Sequence, residues 1–158
     1  MAKQKKKVAP GDVASNRYAS YRYNLIERLE VGIALQGTEV KSLRSGGAQL
    51  KDGFASFRDG ELWLQNVHIP PYAPAANSNH DPDRPRKLLA HRRELDKLEA
   101  RINERGYTLV PTRIYFSGPH AKVEIALARG KDLYDKRETI RKRDTEREMQ
   151  RALREVHR

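Results

Sequence analysis

Between Tyr21 and Leu35 the chain alternates. Tyr21, Tyr23, Leu25, Leu29, Val31, Ile33 and Leu35 fall on one parity, and Arg22, Asn24, Arg28 and Glu30 on the other. A period of two held over this length specifies a long strand with one buried and one wet face. Ile26 and Glu27 break the parity together, which predicts a bulge or bend near the middle. Gly37 ends the strand, and Thr38 is a suitable N-cap for a short helix with Glu39 in its first turn. Val40 and Leu43, three apart, would share the inner face of that helix and leave Lys41 and Arg44 outside. Ser45-Gly46-Gly47 stops it.

The remaining apolar residues sort into further short elements. The runs Phe54 to Phe57 and Leu62 to Ile69 flank Asp59-Gly60, a hairpin signal because glycine accepts the positive φ of a tight turn. Residues 73–85 contain Pro74, Pro82 and Pro85 and read as a loop, since prolines exclude a helix interior or an inner strand. Leu88, Leu95, Leu98 and Ile102 recur at helical spacing, with Gly106 as the closing residue. Thr108 to Phe116 and Ala121 to Leu127 form a second antiparallel pair, in which Pro111 demands an edge or a bulge. Trp63 and the phenylalanines near it read as core. The fold class is a small β-barrel of the oligonucleotide-binding type, with about six strands and two or three helices.

Composition separates this body from two polar ends. The chain of 158 residues carries 32 basic and 21 acidic residues, a formal net charge of +11. Such an excess favours a polyanion partner, because each neutralised phosphate releases condensed counterions. Nucleic acid is favoured over a membrane surface: no apolar run approaches the ~18 residues of a span, and no signal-like apolar region follows the N-terminal lysines. There is no cysteine, which excludes disulfides and thiolate chemistry. The expected layout is a disordered basic arm over residues 1–15, with Lys3, Lys5, Lys6 and Lys7, a barrel over 16–128, and a basic tail over 129–158. A soluble, cytoplasmic monomer is expected.

The tail has too few apolar residues to form a core. Yet it lacks proline and is rich in helix formers, and Arg143, Arg147, Arg151, Arg154 and Arg158 fall in one stripe on a helix. Such a segment is expected to be disordered when free and to become helical on a partner. A solvated charged helix is the alternative. No catalytic motif accompanies it. The five histidines show no metal-ligand spacing, and the carboxylates Glu27, Glu30, Asp52 and Asp59 lie on different elements. No metal, cofactor or enzymatic activity is expected.

The run Ala34-Leu35-Gln36-Gly37-Thr38-Glu39-Val40-Lys41-Ser42-Leu43-Arg44 closely resembles the signature of the SmpB family, the SsrA-binding proteins of bacterial trans-translation. The resemblance continues through Lys51-Asp52-Gly53, Arg58-Asp59-Gly60, Arg86-Lys87-Leu88-Leu89, Arg93-Glu94-Leu95 and Gly130-Lys131-Asp132-Leu133-Tyr134-Asp135-Lys136-Arg137, and covers nearly the whole chain. It implies a non-enzymatic protein that binds the tRNA-like domain of tmRNA. Elongation factor Tu and alanyl-tRNA synthetase would be further partners through charged tmRNA.

The residues implied for tmRNA are Asn16, Arg17, Tyr23, Glu30, Lys41, Lys87 and Lys122. The tail would fold in the decoding site and empty message channel of the small ribosomal subunit, through Lys131, Tyr134, Asp135, Lys136, Arg137, Ile140, Arg141, Arg143 and Arg147. Asp132 departs from the family's second lysine. Tyr23 shares the parity of the buried residues, so its role requires the bulge to turn it. The rivals are a general binder of structured RNA or ribosome-assembly protein, a magnesium nuclease, and a protein-binding module.

Overall fold

The computed structural model describes residues 11–104, 106–131 and 133–157, without the side chains of 133–136. The elements follow in the order β1 (Asp12–Ser15), α1 (Arg17–Arg22), β2 (Tyr23–Ile33), α2 (Gly37–Gly46), β3 (Phe54–Arg58), β4 (Glu61–Gln65), a 3-10 segment (Ala73–Ser78), β5 (Arg86–Leu89), α3 (Arg92–Ile102), β6 (Tyr107–Ser117), β7 (His120–Gly130) and α4 (Leu133–Val156). Seven antiparallel strands pair in the order β1-β6-β3-β4-β5-β2-β7. A further β6–β7 pairing closes six of them into a ring, with β1 added on the outside edge of β6. This agrees with the oligonucleotide-binding-type expectation. The ring encloses the core, where Val31, Leu43, Leu62, Leu64, Leu88, Leu109, Ile114, Val123, Ile125 and Leu127 are buried.

The long strand and its bulge are present. On β2, Leu25 faces Ala128 of β7 and Glu27 faces Leu127, so Ile26 is the extra residue, and it is exposed. A second bulge falls between Pro111 and Arg113 on β6, where the proline required one. The Asp59-Gly60 turn carries φ of 51° and 76°, the pair of positive values a two-residue hairpin needs.

Several sequence expectations are corrected. Residues 1–10 lie outside the description, but Asp12–Ser15 of the expected arm is strand β1, paired with Arg113, Ile114 and Tyr115. Tyr21 belongs to α1 rather than to the long strand, because the chain turns at Asn16 before entering the sheet. Leu88 shared helical spacing with Leu95 only by coincidence: Arg86–Leu89 is β5, which bridges β4 to β2, and the helix starts at Arg92. Residues 73–78 form a 3-10 segment, with a proline in its first turn where no hydrogen bond is lost. Asn103, not Gly106, caps α3. The sheet runs to Gly130, two residues past the expected barrel boundary. The tail is a helix over Leu133–Val156, the conformation expected of it on a partner, and from Arg141 onward its described residues are exposed.

Helix α2 begins one residue before Thr38, with Gln36 as its cap, and the Gln36 N–H donates to Glu39 Oε2 at 2.9 Å. Glu39 is not a surface charge. It is fully buried, as is Arg86, whose Nε donates to Glu39 Oε1 at 3.1 Å. Arg84 adds contacts of 2.6 and 2.8 Å to the two carboxylate oxygens. The Arg86 guanidinium also donates to the Val67 and Pro82 carbonyls, at 2.6 and 2.9 Å. Burial alone would raise the Glu39 pKa. The hydrogen bonds from Arg84 and Gln36, with the charges of Arg86 and Arg84, bring it below its ordinary value. The cluster fastens α2 to the segment between β4 and β5 and so fixes one wall of the ring.

Candidate nucleic-acid interface

The bulge at Ile26 decides which side chains share a face. After it, Leu29, Val31 and Ile33 point into the ring with the main core. Before it, Tyr23 and Leu25 pack outside the ring against Ala19, Val110, Ala126 and Ala128. One inserted residue reverses the side-chain alternation. Tyr23 therefore joins Arg28 and Glu30 on the outer face, and the parity conflict read from the sequence is resolved.

Helix α1 lies over this outer apolar patch through Ala19, which is buried. Asn16 sets its start: the side-chain amide donates to the Leu50 and Pro111 carbonyls at 3.2 and 2.9 Å, and its backbone N–H donates to Thr112 O at 2.7 Å. Arg17 is thereby exposed on the first turn. Asn16, Tyr18, Arg22, Tyr23, Lys51 and Asp52 line a cleft between α1 and the sheet. Lys51 sits over the Tyr18 ring at 4.6 Å, and Arg22 approaches Asp52 at 3.8 Å.

Further along the same face, β2, β7, β6 and β1 assemble a charged network. The Tyr115 hydroxyl donates to Glu30. Lys122 Nζ lies 3.8 Å from Glu30 Oε1. Glu124, opposite Glu30 in register, accepts from Thr112 Oγ1 at 2.8 Å, Arg113 Nε at 3.2 Å and Arg28 Nη1 at 3.2 Å. Arg113 also donates to Asp12 Oδ1 at 3.0 Å, and its guanidinium lies 4.3 Å from the centre of the Tyr115 ring.

Three pKa shifts follow. Burial pushes Glu124 up, but the hydrogen bonds from Thr112 and Arg113 and the charges of Arg113 and Arg28 leave it below the ordinary carboxylate value. The hydrogen bond to Asp12, then that to Glu124, raises Arg113 against the opposing effect of burial. Burial, with the hydrogen bond to Glu30 and the charge of that carboxylate, pushes Tyr115 up to about 12. The face is thus a fixed array of alternating donors and acceptors, with Arg28 and Glu30 presented side by side.

Five of the expected RNA residues lie on this side: Asn16, Arg17, Tyr23, Glu30 and Lys122. Two lie apart from the network. Lys87, on β5, pairs with Glu61 at 2.8 Å, and Lys41, on α2, sits over the Tyr72 ring at 5.7 Å. Arg28, Arg113, Tyr115 and Glu124 were missed. Arg28 and Glu124 are on the polar parity of their strands, but the register that brings them together could not be read from either strand alone.

The tail leaves the sheet beside α1. Lys131 Nζ donates to Ser20 O and Thr139 Oγ1, both at 2.9 Å, and Arg143 reaches Ser20 Oγ at 3.3 Å. Arg137, Ile140, Arg141 and Arg147 are exposed on α4. The side chains of the expected Tyr134, Asp135 and Lys136 lie outside the described residues. Among the described residues, no group of three or more His, Cys, Asp or Glu is placed to hold a metal, and no helix is long and apolar enough to cross a membrane.

A closed ring of antiparallel strands, with a polar array on one outer wall and a basic helix leading away, defines a small β-ring protein of the oligonucleotide-binding type. The family model described as SmpB protein matches residues 13–155. The chain belongs to that family. It is 55% identical to the SsrA-binding protein of Thermobifida fusca (strain YX) over 152 residues, which cover 96% of this chain and 95% of the relative. It is 53% identical to the SsrA-binding protein of Carboxydothermus hydrogenoformans over 142 residues, 90% of this chain and 95% of that one. A solved structure reported as "tmRNA-SmpB: a journey to the center of the bacterial ribosome" matches with a TM-score of 0.65 and 49% identity, covering 76% of this chain and 85% of the other.

Proposed function

We propose that this protein binds the tRNA-like domain of tmRNA and delivers it to stalled ribosomes for trans-translation. Its relatives are named for binding SsrA, and the matching solved structure is described by tmRNA and the bacterial ribosome. The observation that supports the assignment is that the bulge at Ile26 brings Tyr23 to the outer wall that carries Glu30 and Lys122, with Asn16 fastened at the start of α1 beside it. A rigid array of this kind suits recognition of folded RNA and its unstacked loop bases. The exposed basic helix α4 is the second working surface. It would occupy the decoding site and empty message channel, through Arg137, Ile140, Arg141, Arg143 and Arg147 together with Lys131, Tyr134, Asp135 and Lys136. In this reading the protein acts by binding, in the cytoplasm, and meets elongation factor Tu and alanyl-tRNA synthetase only through charged tmRNA.

Titration into a labelled tRNA-like fragment of tmRNA, over a salt series and with excess tRNA as competitor, tests the reading. Tight binding that survives the competitor is the expected result. Binding erased by the competitor would leave a general structured-RNA-binding or assembly protein.

A further inference from the structure

We infer that Arg28 is a base-reading residue of this interface and that Glu124 is the residue that positions it. The inference rests on the tmRNA-binding reading above and extends it to side chains that neither family resemblance nor sequence pattern singled out. Arg28 leaves β2 on the outer face, next to Glu30, and 59% of its side chain is exposed. One nitrogen, Nη1, is tethered to Glu124 at 3.2 Å. A guanidinium held by one nitrogen still has further donors in a fixed plane, which is the geometry that pairs with two acceptors on a base edge.

The charge balance selects a base over a phosphate. Arg28 and Arg113 are matched by Glu124 and Asp12, and Lys122 by Glu30, so this part of the wall has no excess positive charge. A phosphate brought to Arg28 would also approach the carboxylates of Glu30 and Glu124. A neutral base edge would not be repelled, and the Watson–Crick edge of cytosine carries two acceptors, N3 and O2, for Arg28 beside an amino group that could donate to Glu30. Arg28 and Glu30 thus form a donor and an acceptor two residues apart on one strand face. Glu124 is prepared for its part: Thr112 and Arg113 hold its two oxygens, and both help keep it ionised. The phosphate contacts that release counterions and drive association would be made instead by the arginines and lysines around α1.

The test measures binding of the full-length protein to the labelled tRNA-like fragment across a salt series, with thermal unfolding as a control for folding. Arg28→Lys keeps the charge and loses the planar fork. We expect Arg28→Lys and Arg28→Ala each to weaken binding roughly tenfold while the slope of log affinity against log salt stays at the wild-type value. Glu124→Gln should weaken binding in the wild-type background but add nothing to Arg28→Ala. A slope reduced by about one in Arg28→Ala, with Arg28→Lys binding like wild type, would mean a phosphate contact and overturn base reading. Wild-type affinity in both Arg28 variants would overturn the inference altogether. Failure of the unmodified protein to bind the fragment would instead remove the functional reading on which the inference stands.

Discussion

Tyr23 and Glu30 have opposite parity on one strand yet face the same side of the sheet, because Ile26 is inserted between them opposite a continuous β7. The insertion gives a single strand two functions. Its second half closes the core through Leu29, Val31 and Ile33, and its first half builds an outer apolar seat for α1.

Deleting Ile26 should destroy that arrangement. The restored alternation would turn Tyr23 and Leu25 inward, or else turn Leu29 and Val31 outward. Thermal unfolding should show a loss of several kcal/mol, on the order of multiple large-to-small core changes. Ile26→Ala removes only an exposed side chain and should stay within about 0.5 kcal/mol of wild type. Equal effects of the two changes would contradict the role of the bulge.

Breaking the buried ion pair should be costly. Glu39→Ala would leave Arg86 charged and fully buried without its carboxylate, a loss of about 3–5 kcal/mol in denaturant unfolding. Arg84→Ala should cost less, since Arg84 is 25% exposed and Arg86 still satisfies Glu39.

Acid should weaken the fold by a related route. The folded-state pKa values of Glu39 and Glu124 lie below their ordinary value of 4.5. Each group therefore contributes stability that is complete above that value and is lost as pH falls through the lower folded-state value. Unfolding midpoints measured from neutral pH down to about 3 should fall below pH ~4.5. Glu39→Gln, though less stable throughout, should show a shallower fall.

Tyr115 should titrate late. Ultraviolet difference spectra at rising pH should show one tyrosine ionising near 12, and Glu30→Gln should lower it by removing the carboxylate. Because its folded-state pKa is raised, its contribution is present below the ordinary value of 10.0 and disappears as pH climbs through about 12. A Tyr115 signal at its ordinary value would mean that the link to Glu30 is absent in solution.

Truncation after Gly130 should separate the two surfaces. Nearly all described residues of α4 are exposed, so removing residues 131–158 should change unfolding of the ring by no more than about 0.5 kcal/mol. Binding to the tmRNA fragment should stay close to wild type, and peptide tagging in a reconstituted translation system should be abolished. Parallel loss of binding and tagging would contradict the division of labour.

The sequence made legible what depends on local pattern. Both bulges, the Asp59-Gly60 hairpin and the inward set of β2 after Ile26 follow from period, proline and turn chemistry. What depended on long-range pairing was hidden. Leu88 fitted a helical spacing although its strand closes the ring, and β1 was concealed by adjacent lysines and Pro10-Gly11. Glu39 was legible only as a residue of a helix's first turn and Arg86 only as part of a motif, because the burial of the pair arises only once the chain between them has folded back. The same holds for Glu124, whose partners Arg28 and Arg113 lie on two other strands. The family resemblance supplied Glu30 and Lys122, and the register explains why they meet.

Amide hydrogen exchange, with and without the tRNA-like fragment of tmRNA, tests the central assignment most directly. Added protection should concentrate on α1, the first half of β2, and the stretches of β6 and β7 around Tyr115 and Lys122, leaving β3, β4 and α3 as they were. Protection confined to the β3–β4 hairpin and α3, with the outer wall of β2 unchanged, would contradict the account.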